Sequence, residues 1–491
     1  MQVRTRNSAA ILFVLFAAHC GKKEAPSWKR APGGVPERTA ILEMRKQHHR
    51  VPPGPPGLPL LGVGLEARRD ILGLLTRAAR EFGDVVRLHL PLRDRVLLSH
   101  PDDIERVLVI EQDKFQKSVE FKFVARRMLG EGLLTSDGEF WRRQRRLAQP
   151  AFQRARIASY APTMVDHARA HVESWRDAEV RDIAEEMMQL TLGIAVKTLF
   201  GIELKSEAAG VGRALQLITR HEISRLRSPF RLPWNWPTAE QRRVDDAYKY
   251  LNLLVYRIID ERRSRREQGN DLLSLLIQAT DEDGSQMSPK QLRDETMTLF
   301  LASHETTALT LAWTWYLLSE NSRTELCLHA ELSKQLGGRP PVLEDLEKMP
   351  YLTAVIRESL RLFPPAYIMS RATTNKFQTR GFTISPNTTV LMSQWVVHRD
   401  ERYFAEPLVF RPERWLEGLA ERLPNYAYFP FGGGPRRCIG QGFAEMEAAL
   451  ALATIAQSFR LRLAADHRVV PEPLITLRPR HGIRMVVHER Q

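Results

Sequence analysis

FGGGPRRCIG, from Phe431 to Gly440, is the most informative segment of this chain. It places Cys438 in a glycine-rich loop immediately before the helical pattern QGFAEMEAALALATIA. Free backbone N–H groups at the start of a helix, such as that of Gly440, stabilise a thiolate, which is the form of cysteine that binds metal ions. A lone cysteine in a tight turn is more often buried and inert. The phenylalanine, glycines and arginine at fixed offsets from Cys438 favour metal binding instead.

This segment resembles the F-x-x-G-x-R-x-C-x-G signature of the cytochrome P450 family. The matching positions are Phe431, Gly434, Arg436, Cys438 and Gly440. The resemblance implies a cofactor site built on these residues, with haem b as the cofactor and Cys438 as the axial ligand of its iron. The glycines from 432 to 434 would then leave room for the flat macrocycle near the sulfur.

A long helix is predicted from Pro289 to about Ser319, because Ser288 and Gln291 fit a capping box and no breaker follows. At ~1.5 Å per residue it is roughly 46 Å long, enough to cross a whole domain. Its apolar sequence is interrupted by a polar stretch at 303–307. Polar groups in a buried helix need hydrogen-bond partners or a function.

Ala302 and Thr306 share one face of this helix, since they are four residues apart. ASHETT resembles the oxygen-binding motif of the family, which implies that Ala302 lies beside the haem and that Glu305 and Thr306 are catalytic, carrying protons to bound O2. A threonine in mid-helix often simply bonds the carbonyl one turn back, here that of Ala302, and both roles are compatible. Ser303 stands where the family usually has glycine, which leaves the shape of this groove open.

A charge triad is expected behind the cofactor. Glu358 and Arg361 lie three residues apart on a helix that ends before Pro364. Acid–base pairs at this spacing are common on helix surfaces, where each contributes ~0.5 kcal/mol or less to stability. It resembles the E-x-x-R motif of the family, and Arg414 in FRPERW supplies the expected partner. The resemblance implies a buried structural triad. One carboxylate cannot neutralise two guanidinium groups, so we expect further backbone acceptors around them.

Trp141 and Arg145 in WRRQRR are four residues apart on a helix and resemble the W-x-x-x-R pair that holds haem propionates. Arg371 resembles a further propionate ligand, and the arginine fork suits a carboxylate. A surface arginine is the alternative for each. The other arginines here either form a dock for an acidic donor such as a ferredoxin, itself served by a ferredoxin reductase, or are simply solvated. They are Arg142, Arg143, Arg146 and Arg437.

Composition places the chain among globular proteins. It has 491 residues, 43% hydrophobic and 26% charged, which allows a large core and excludes bulk disorder. Its three cysteines are far apart and exclude a disulfide framework. The scattered cysteines favour a reducing, cytoplasmic setting, and we expect a monomer. The net charge of +14 is spread over most helices without a nucleic-acid motif, so we expect no nucleic-acid partner.

The predicted fold is mainly α with a small β portion (α+β), in one large domain at 51–491, and the resemblance implies the cytochrome P450 fold. The stretch VPPGPPGLPLLG starts this domain, because its fixed φ angles exclude a helix. Strand patterns follow at 85–90 and 95–99, and helical periodicity is almost continuous from about 138 to 362. RLPWNWPT, at 231–238, predicts a rigid apolar loop.

Residues 1–50 are expected to form an N-terminal extension. Its apolar run at 9–18 is too short to span a bilayer, which needs ~20 helical residues. The run fits a signal-like segment or an interfacial anchor that gives a peripheral membrane contact. A start of translation further on, for example at Met44, is the third alternative.

The function implied by the resemblance is a haem-thiolate monooxygenase of the EC 1.14 class. It would insert one oxygen atom of O2 into a lipophilic substrate, such as a fatty acid or terpenoid, with electrons from separate proteins. A peroxide-driven or isomerising enzyme is one alternative, although neither chemistry needs protons from Glu305 and Thr306. A non-catalytic haem-binding sensor is another. The mostly apolar residues expected near the substrate are Phe300, Leu301, Ala302, Pro365, Ala366, Tyr367 and Ile368.

Overall fold

The structure is a computed structural model that describes residues 50–90, 93–202, 208–227, 238–264, 271–281 and 284–490. These residues belong to one compact unit. The predicted N-terminal extension and nearly all of the RLPWNWPT loop lie outside the described residues. Within the described part of the chain, no helix is both long and apolar enough to cross a membrane.

Helices make up most of the fold, as predicted. They are α1 (Gly64–Arg69), α2 (Ile71–Phe82), α3 (Pro101–Glu105), α4 (Val119–Leu129), α5 (Gly138–Ala148), α6 (Arg154–Ala158), α7 (Ala161–Val172), α8 (Ile183–Phe200), α9 (Ala208–Arg227), α10 (Ala239–Ser264), α11 (Leu272–Gln278), α12 (Pro289–Glu320), α13 (Ser322–Leu336), α14 (Pro350–Leu362), α15 (Gln394–Val397), α16 (Glu413–Leu416), α17 (Leu419–Arg422) and α18 (Gln441–Ser458).

The strands form small sheets. They are β1 (Val85–Leu90), β2 (Arg93–Leu98), β3 (Phe115–Gln116), β4 (Val180–Asp182), β5 (Met369–Thr373), β6 (Phe377–Thr379), β7 (Phe382–Ile384), β8 (Thr389–Met392), β9 (Phe459–Leu463), β10 (Pro471–Pro473), β11 (Leu477–Pro479) and β12 (Arg484–Glu489). One sheet has the order β1-β2-β8-β5-β3, in which β2 and β8 are parallel and the other neighbours antiparallel. A second sheet has the order β4-β12-β9, and β6-β7 and β10-β11 are two-stranded.

The Pro/Gly-rich start of the domain packs against the first strand. Arg87 N donates to the Pro53 carbonyl at 2.7 Å. A Cβ on Gly54 would lie 1.8 Å from the Arg87 carbonyl oxygen, so only glycine permits this close approach. The predicted strand patterns are confirmed, although the second begins at Arg93, two residues earlier than expected.

Helix α12 runs through the core as predicted. The Ser288 side chain accepts from Gln291 N and the Gln291 side chain accepts from Ser288 N, which is the expected capping box. The helix packs against α8, α14 and α18, and its residues Trp313 and Trp315 are almost fully buried. This central helix and the loop before α18 carry the two motifs that the sequence assigned to one site.

Candidate functional site

The loop before α18 holds Cys438 in a fixed conformation. Cys438 N donates to the Phe431 carbonyl at 3.0 Å, and Arg437 N donates to the Gly434 carbonyl at 3.0 Å. The Cys438 side chain is accessible although the sulfur lies deep in the protein, so it opens into an internal cleft. Burial raises the pKa of the thiol, against the Gly440 backbone N–H and the Arg145 charge, which lower it. A metal ion bound to the sulfur would supply the additional positive charge that a thiolate needs here.

The glycines of this loop are required by protein contacts. Gly434 has a φ of +63°, and a Cβ there would lie 2.0 Å from the Leu108 carbonyl oxygen. A Cβ on Gly433 would lie 2.1 Å from the Tyr426 ring, and the Tyr426 hydroxyl accepts from Gly434 N at 3.2 Å. The sequence interpretation assigned this space to a macrocycle. In the structure, protein atoms fill it at both positions, so the expected cofactor contact of Gly434 stays a prediction.

A cluster of cations surrounds the single carboxylate of Asp137. Lys122 Nζ lies 2.6 Å from Asp137 Oδ2, and Arg436 Nη2 lies 2.7 Å from Oδ1. Arg371 is buried, and its pKa is lowered to about 10 by burial and by the charge of Arg436. Burial and the charges of Arg371 and Arg436 also hold the pKa of Lys117 well below its usual value. Four basic side chains thus share one carboxylate, and even without a charge on Lys117 the cluster holds more positive than negative groups.

The donors of Arg371 are largely unused by the protein. Among the described residues, its one hydrogen bond is from Nη1 to the Ser370 carbonyl, at 2.9 Å. A guanidinium carries five N–H donors, so most of them remain available to an anionic ligand. Lys117 and Asp137 were missed by the sequence interpretation, because neither belongs to a motif with recognisable spacing.

Helix α5 connects this cationic cluster to Cys438. Asp137 precedes the helix, Trp141 packs beneath the Arg436 guanidinium at 4.2 Å from the ring centroid, and Arg145 interacts electrostatically with Cys438. Burial lowers the pKa of Arg145, and the Cys438 charge opposes that shift. Arg145 lies eight positions after Asp137, the N-cap of α5, which corresponds to about 12 Å along the helix axis. Trp141 therefore lies with the cationic cluster, whereas the interaction found for Arg145 is with the cysteine.

Ala302, just before the polar stretch of α12, is exposed. Leu301, the residue before it, and His304, two residues after it, are buried. Thr306 Oγ1 donates to the Ala302 carbonyl at 3.0 Å, which is the local bond that the sequence left open as an alternative. Ser303 Oγ donates to the Phe300 carbonyl at 3.3 Å, so the serine hydroxyl is satisfied within its own helix. Ala302 and Thr306 thus form an accessible face within an otherwise buried helix.

Glu305 is held by the β10–β11 hairpin. Its Oε1 atom lies 2.9 Å from Arg478 Nε and 2.8 Å from Arg478 Nη2, and it also accepts from the Thr476 hydroxyl. Burial alone would raise the pKa of Glu305, but Arg478 and Thr476 outweigh it and hold the pKa below its usual value. The residue predicted to carry protons is therefore an ion-paired carboxylate. Its partners were not predicted, because they lie about 170 residues further along the chain.

A second buried carboxyl lies near this face. Glu447, on α18, is fully buried beside Thr307, the residue that follows Thr306. Burial raises the pKa of Glu447 well above its usual value. The sequence interpretation did not single out Glu447.

The structure brings the predicted charge triad together. Glu358 lies 2.8 Å from Arg361 Nη2 and 3.0 Å from Arg414 Nε, and all three residues are buried. The backbone acceptors that we expected are present. Arg361 donates to the carbonyls of His398, Pro407 and Val409, and Arg414 donates to those of Ala405, Glu406 and Val409.

The residues expected near the substrate divide into two groups. Phe300 is 1% exposed and packs against the rings of Phe200 and His304, so it belongs to the core and not to a pocket wall. Tyr367 is also buried, and its hydroxyl donates to the Leu474 carbonyl at 2.9 Å. Ala302 and Ala366 are exposed and remain candidates for a pocket lining.

Comparison with models of protein families matches residues 52–484 to Cytochrome P450. The chain belongs to the cytochrome P450 family. Haem-thiolate ligation and monooxygenase chemistry are characteristic of this family, so the chain is an oxidoreductase of the monooxygenase class. The predicted P450 fold is confirmed, as is the family predicted from the cysteine loop.

Several proteins are similar to this P450 over most of its length. Cyclooctatin synthase of Streptomyces melanosporofaciens is 38% identical over 436 residues, which cover 88% of this chain and 94% of that protein. Cyclooctat-9-en-7-ol 5-monooxygenase of the same organism is 35% identical, covering 83% and 89%. The solved structure of retinoic acid bound cyanobacterial CYP120A1 superposes with a TM-score of 0.80 and 26% identity, covering 90% of this chain and 100% of that chain.

The residues of this P450 fit the haem that the family implies. A haem would need a thiolate for its iron and cations for its two carboxylates, and residues at and near α5 contact both the thiol and the cationic cluster. The excess positive charge around Asp137 and the unused donors of Arg371 match a dianionic edge.

The arginines considered as a docking surface are mostly paired with acids. Arg143 and Arg146 both contact Asp281, at 2.6 and 2.7 Å, and Arg142 contacts Glu139. Arg437 is exposed and donates to the Gln441 side chain at 2.6 Å. The surface near α5 is therefore of mixed charge, with less free positive potential than the sequence suggests.

Proposed function

We propose that this P450 binds haem b through Cys438 and oxidises a lipophilic terpenoid, with electrons from a separate ferredoxin. The observation that carries the proposal is the pairing, along α5, of an accessible deep thiol with a basic cluster in which four basic side chains share one carboxylate.

The chain contributes binding, orientation and proton handling. The Cys438 sulfur would ligate the iron, and Arg371, Arg436 and Lys117 would bind the propionates. The Trp141 ring packs against the Arg436 guanidinium and supports it. The bound haem supplies O2 activation. The Thr306 hydroxyl donates a hydrogen bond to the Ala302 carbonyl. It would reorient to hold a proton on the accessible face of α12.

The substrate class follows from the apolar lining and is supported by the relatives. Ala302, Ala366 and half-buried Ile368 offer no charged group to a ligand. The two Streptomyces relatives are named for cyclooctatin and cyclooctat-9-en-7-ol. We therefore favour a terpenoid over a fatty acid, whose carboxylate would need a cation that these three residues do not offer.

The proposed electron donor would meet the surface beside α5. Arg437 and Arg142 are exposed and would contribute to a weak, salt-sensitive contact with an acidic ferredoxin. Their acidic neighbours predict a modest electrostatic gain in association rate.

The test is spectroscopic. The reduced, carbon-monoxide-bound protein is expected to show the strongly red-shifted Soret band of thiolate ligation, and Cys438→Ala is expected to lose it. Cyclooctat-9-en-7-ol, retinoic acid and palmitic acid are then titrated for a substrate-induced spin-state shift, and cyclooctat-9-en-7-ol should bind most tightly. Tighter binding of palmitic acid would overturn the substrate class. Product formed with hydrogen peroxide but not with NADPH and a ferredoxin system would favour the peroxide-driven alternative.

A further inference from the structure

The β10–β11 hairpin is fixed rigidly to the site. Leu477 N donates to the Pro365 carbonyl at 2.9 Å, and the Leu477 carbonyl accepts from Trp313 Nε1 at 2.9 Å. Tyr367 is bonded to the Leu474 carbonyl on the same hairpin. The hairpin is thus attached both to α12 and to the segment at 365–367, two elements that border the proposed substrate pocket. A side chain carried by such an element is held more precisely than one on a free loop.

The two oxygens of Glu305 are in different environments. Oε1 receives the Thr476 hydroxyl and two N–H groups of Arg478, whereas no hydrogen bond from a described residue reaches Oε2. The side chains of Arg478 and Glu305 are 13% and 14% exposed, so water screens this pair only weakly. The carboxylate is therefore anchored through one oxygen while the other stays available.

We infer that Arg478 is a positioning residue for Glu305: it anchors Oε1 from the hairpin, so that Oε2 is the atom that exchanges protons between water and the Thr306 face of α12. This inference rests on the proposed monooxygenase function. In each cycle Oε2 takes one proton from water and releases one toward Thr306, so the carboxylate is regenerated. The charged groups that face Glu305 are Arg478 from the hairpin and, when protonated, His304 on α12 itself.

An ion pair that holds Glu305 ionised also sets the pH range of this exchange. Removal of the Arg478 charge raises the fraction of protonated Glu305 at a given pH, so the acidic limb of the pH profile moves to higher pH. A purely structural role for Arg478 would lower stability or activity at all pH values and would leave the limb in place.

The functional test compares Arg478→Gln, Arg478→Lys and the control Arg480→Gln. Arg480 lies two residues further on, is 48% exposed in its side chain and contacts Glu472, away from Glu305. With NADPH, a ferredoxin system and cyclooctat-9-en-7-ol, we expect Arg478→Gln to lose about tenfold in product per NADPH and to shift the acidic limb upward by about one pH unit. Arg478→Lys should restore part of both, and Arg480→Gln should match the wild type. An unshifted limb in Arg478→Gln overturns the inference.

A second measurement does not depend on turnover. Thermal unfolding of Glu305→Gln, Arg478→Gln and the double variant should be non-additive, because the two residues share one ion pair. Additive effects overturn the inference whatever the activity. Absence of the thiolate Soret band in the wild type would instead overturn the proposed function, and the unfolding cycle would still decide whether Arg478 anchors Glu305.

Discussion

Replacement of Glu358 by Gln is expected to destabilise the protein strongly, because Glu358 is the shared acceptor of a fully buried network. Its carboxylate accepts five hydrogen bonds, from Arg361 Nε and Nη2, Arg411 N, Arg414 Nε and Trp415 Nε1, at 2.8 to 3.1 Å. A glutamine has the same shape but only one acceptor oxygen, and its NH2 group would face donors. Two buried guanidinium groups would lose their counter-charge.

The size of the effect follows from the burial of the network. Loss of one partner from a buried ion pair costs about 3–5 kcal/mol. Unfolding of roughly 440 residues at about 2.1 cal/mol/K each has an entropy of about 0.9 kcal/mol/K, so the melting temperature should fall by about 3–5 °C.

The assay is thermal unfolding followed by far-UV circular dichroism, with haem absorbance recorded in parallel. Glu261→Gln is the matched control, because Glu261 is 47% exposed and lies 3.7 Å from Arg257 in a surface pair. Such a pair contributes about 0.5 kcal/mol or less, which is under 1 °C here. If Glu358→Gln melts within 1 °C of the control, the network is not the stabilising element that its geometry indicates.

Three further outcomes are expected. Thr306→Ala should leave the substrate-induced spin-state shift unchanged but raise the peroxide formed per NADPH by about tenfold. The control Thr314→Ala loses a similar hydrogen bond, to the Thr310 carbonyl, and should form no more peroxide than the wild type. An equal rise in both variants would remove Thr306 from proton handling. Arg371→Gln should speed haem transfer to apomyoglobin by about tenfold to a hundredfold, whereas surface Arg68→Gln should not change it. Burial raises the pKa of Glu295 from 4.5 to about 7, so the wild type loses stability as pH rises through this range. In urea unfolding, Glu295→Gln should therefore be more stable than the wild type by about 3 kcal/mol at pH 8 and by little at pH 4.5. A stability difference that is independent of pH would contradict this.

The sequence located the residues that depend on local spacing. Ser288 and Gln291 cap α12, Glu358 and Arg361 share a helix face, and Ala302 lies one turn before Thr306, because helical geometry fixes relations within about four residues. Contacts between distant parts of the chain have no such signature. Thr476 and Arg478 reach Glu305 only because the hairpin folds back onto α12, and no spacing in the sequence predicts that.

The glycine loop shows a different limit. Its motif indicated correctly that there is no room for side chains at these positions, but it did not show which atoms occupy that room. At Gly433 and Gly434 the excluding groups are the Tyr426 ring and the Leu108 carbonyl. Since a missing Cβ accommodates protein and ligand atoms equally well, the sequence alone cannot distinguish them.

Two arginine clusters in this chain illustrate how a structural cation differs from a ligand-binding one. Arg361 is buried with five hydrogen bonds, two to Glu358 and three to backbone carbonyls, so the protein itself satisfies its charge and donors. Arg371 is also buried, but its guanidinium makes one described hydrogen bond and interacts unfavourably with another cation, Arg436. A buried cation without sufficient partners destabilises the protein until an anion binds, so the free energy of haem binding should include relief of this repulsion. If Arg371 binds a haem propionate as proposed, folding and haem retention would be coupled through Arg371 and not through Arg361, although the sequence marks both residues.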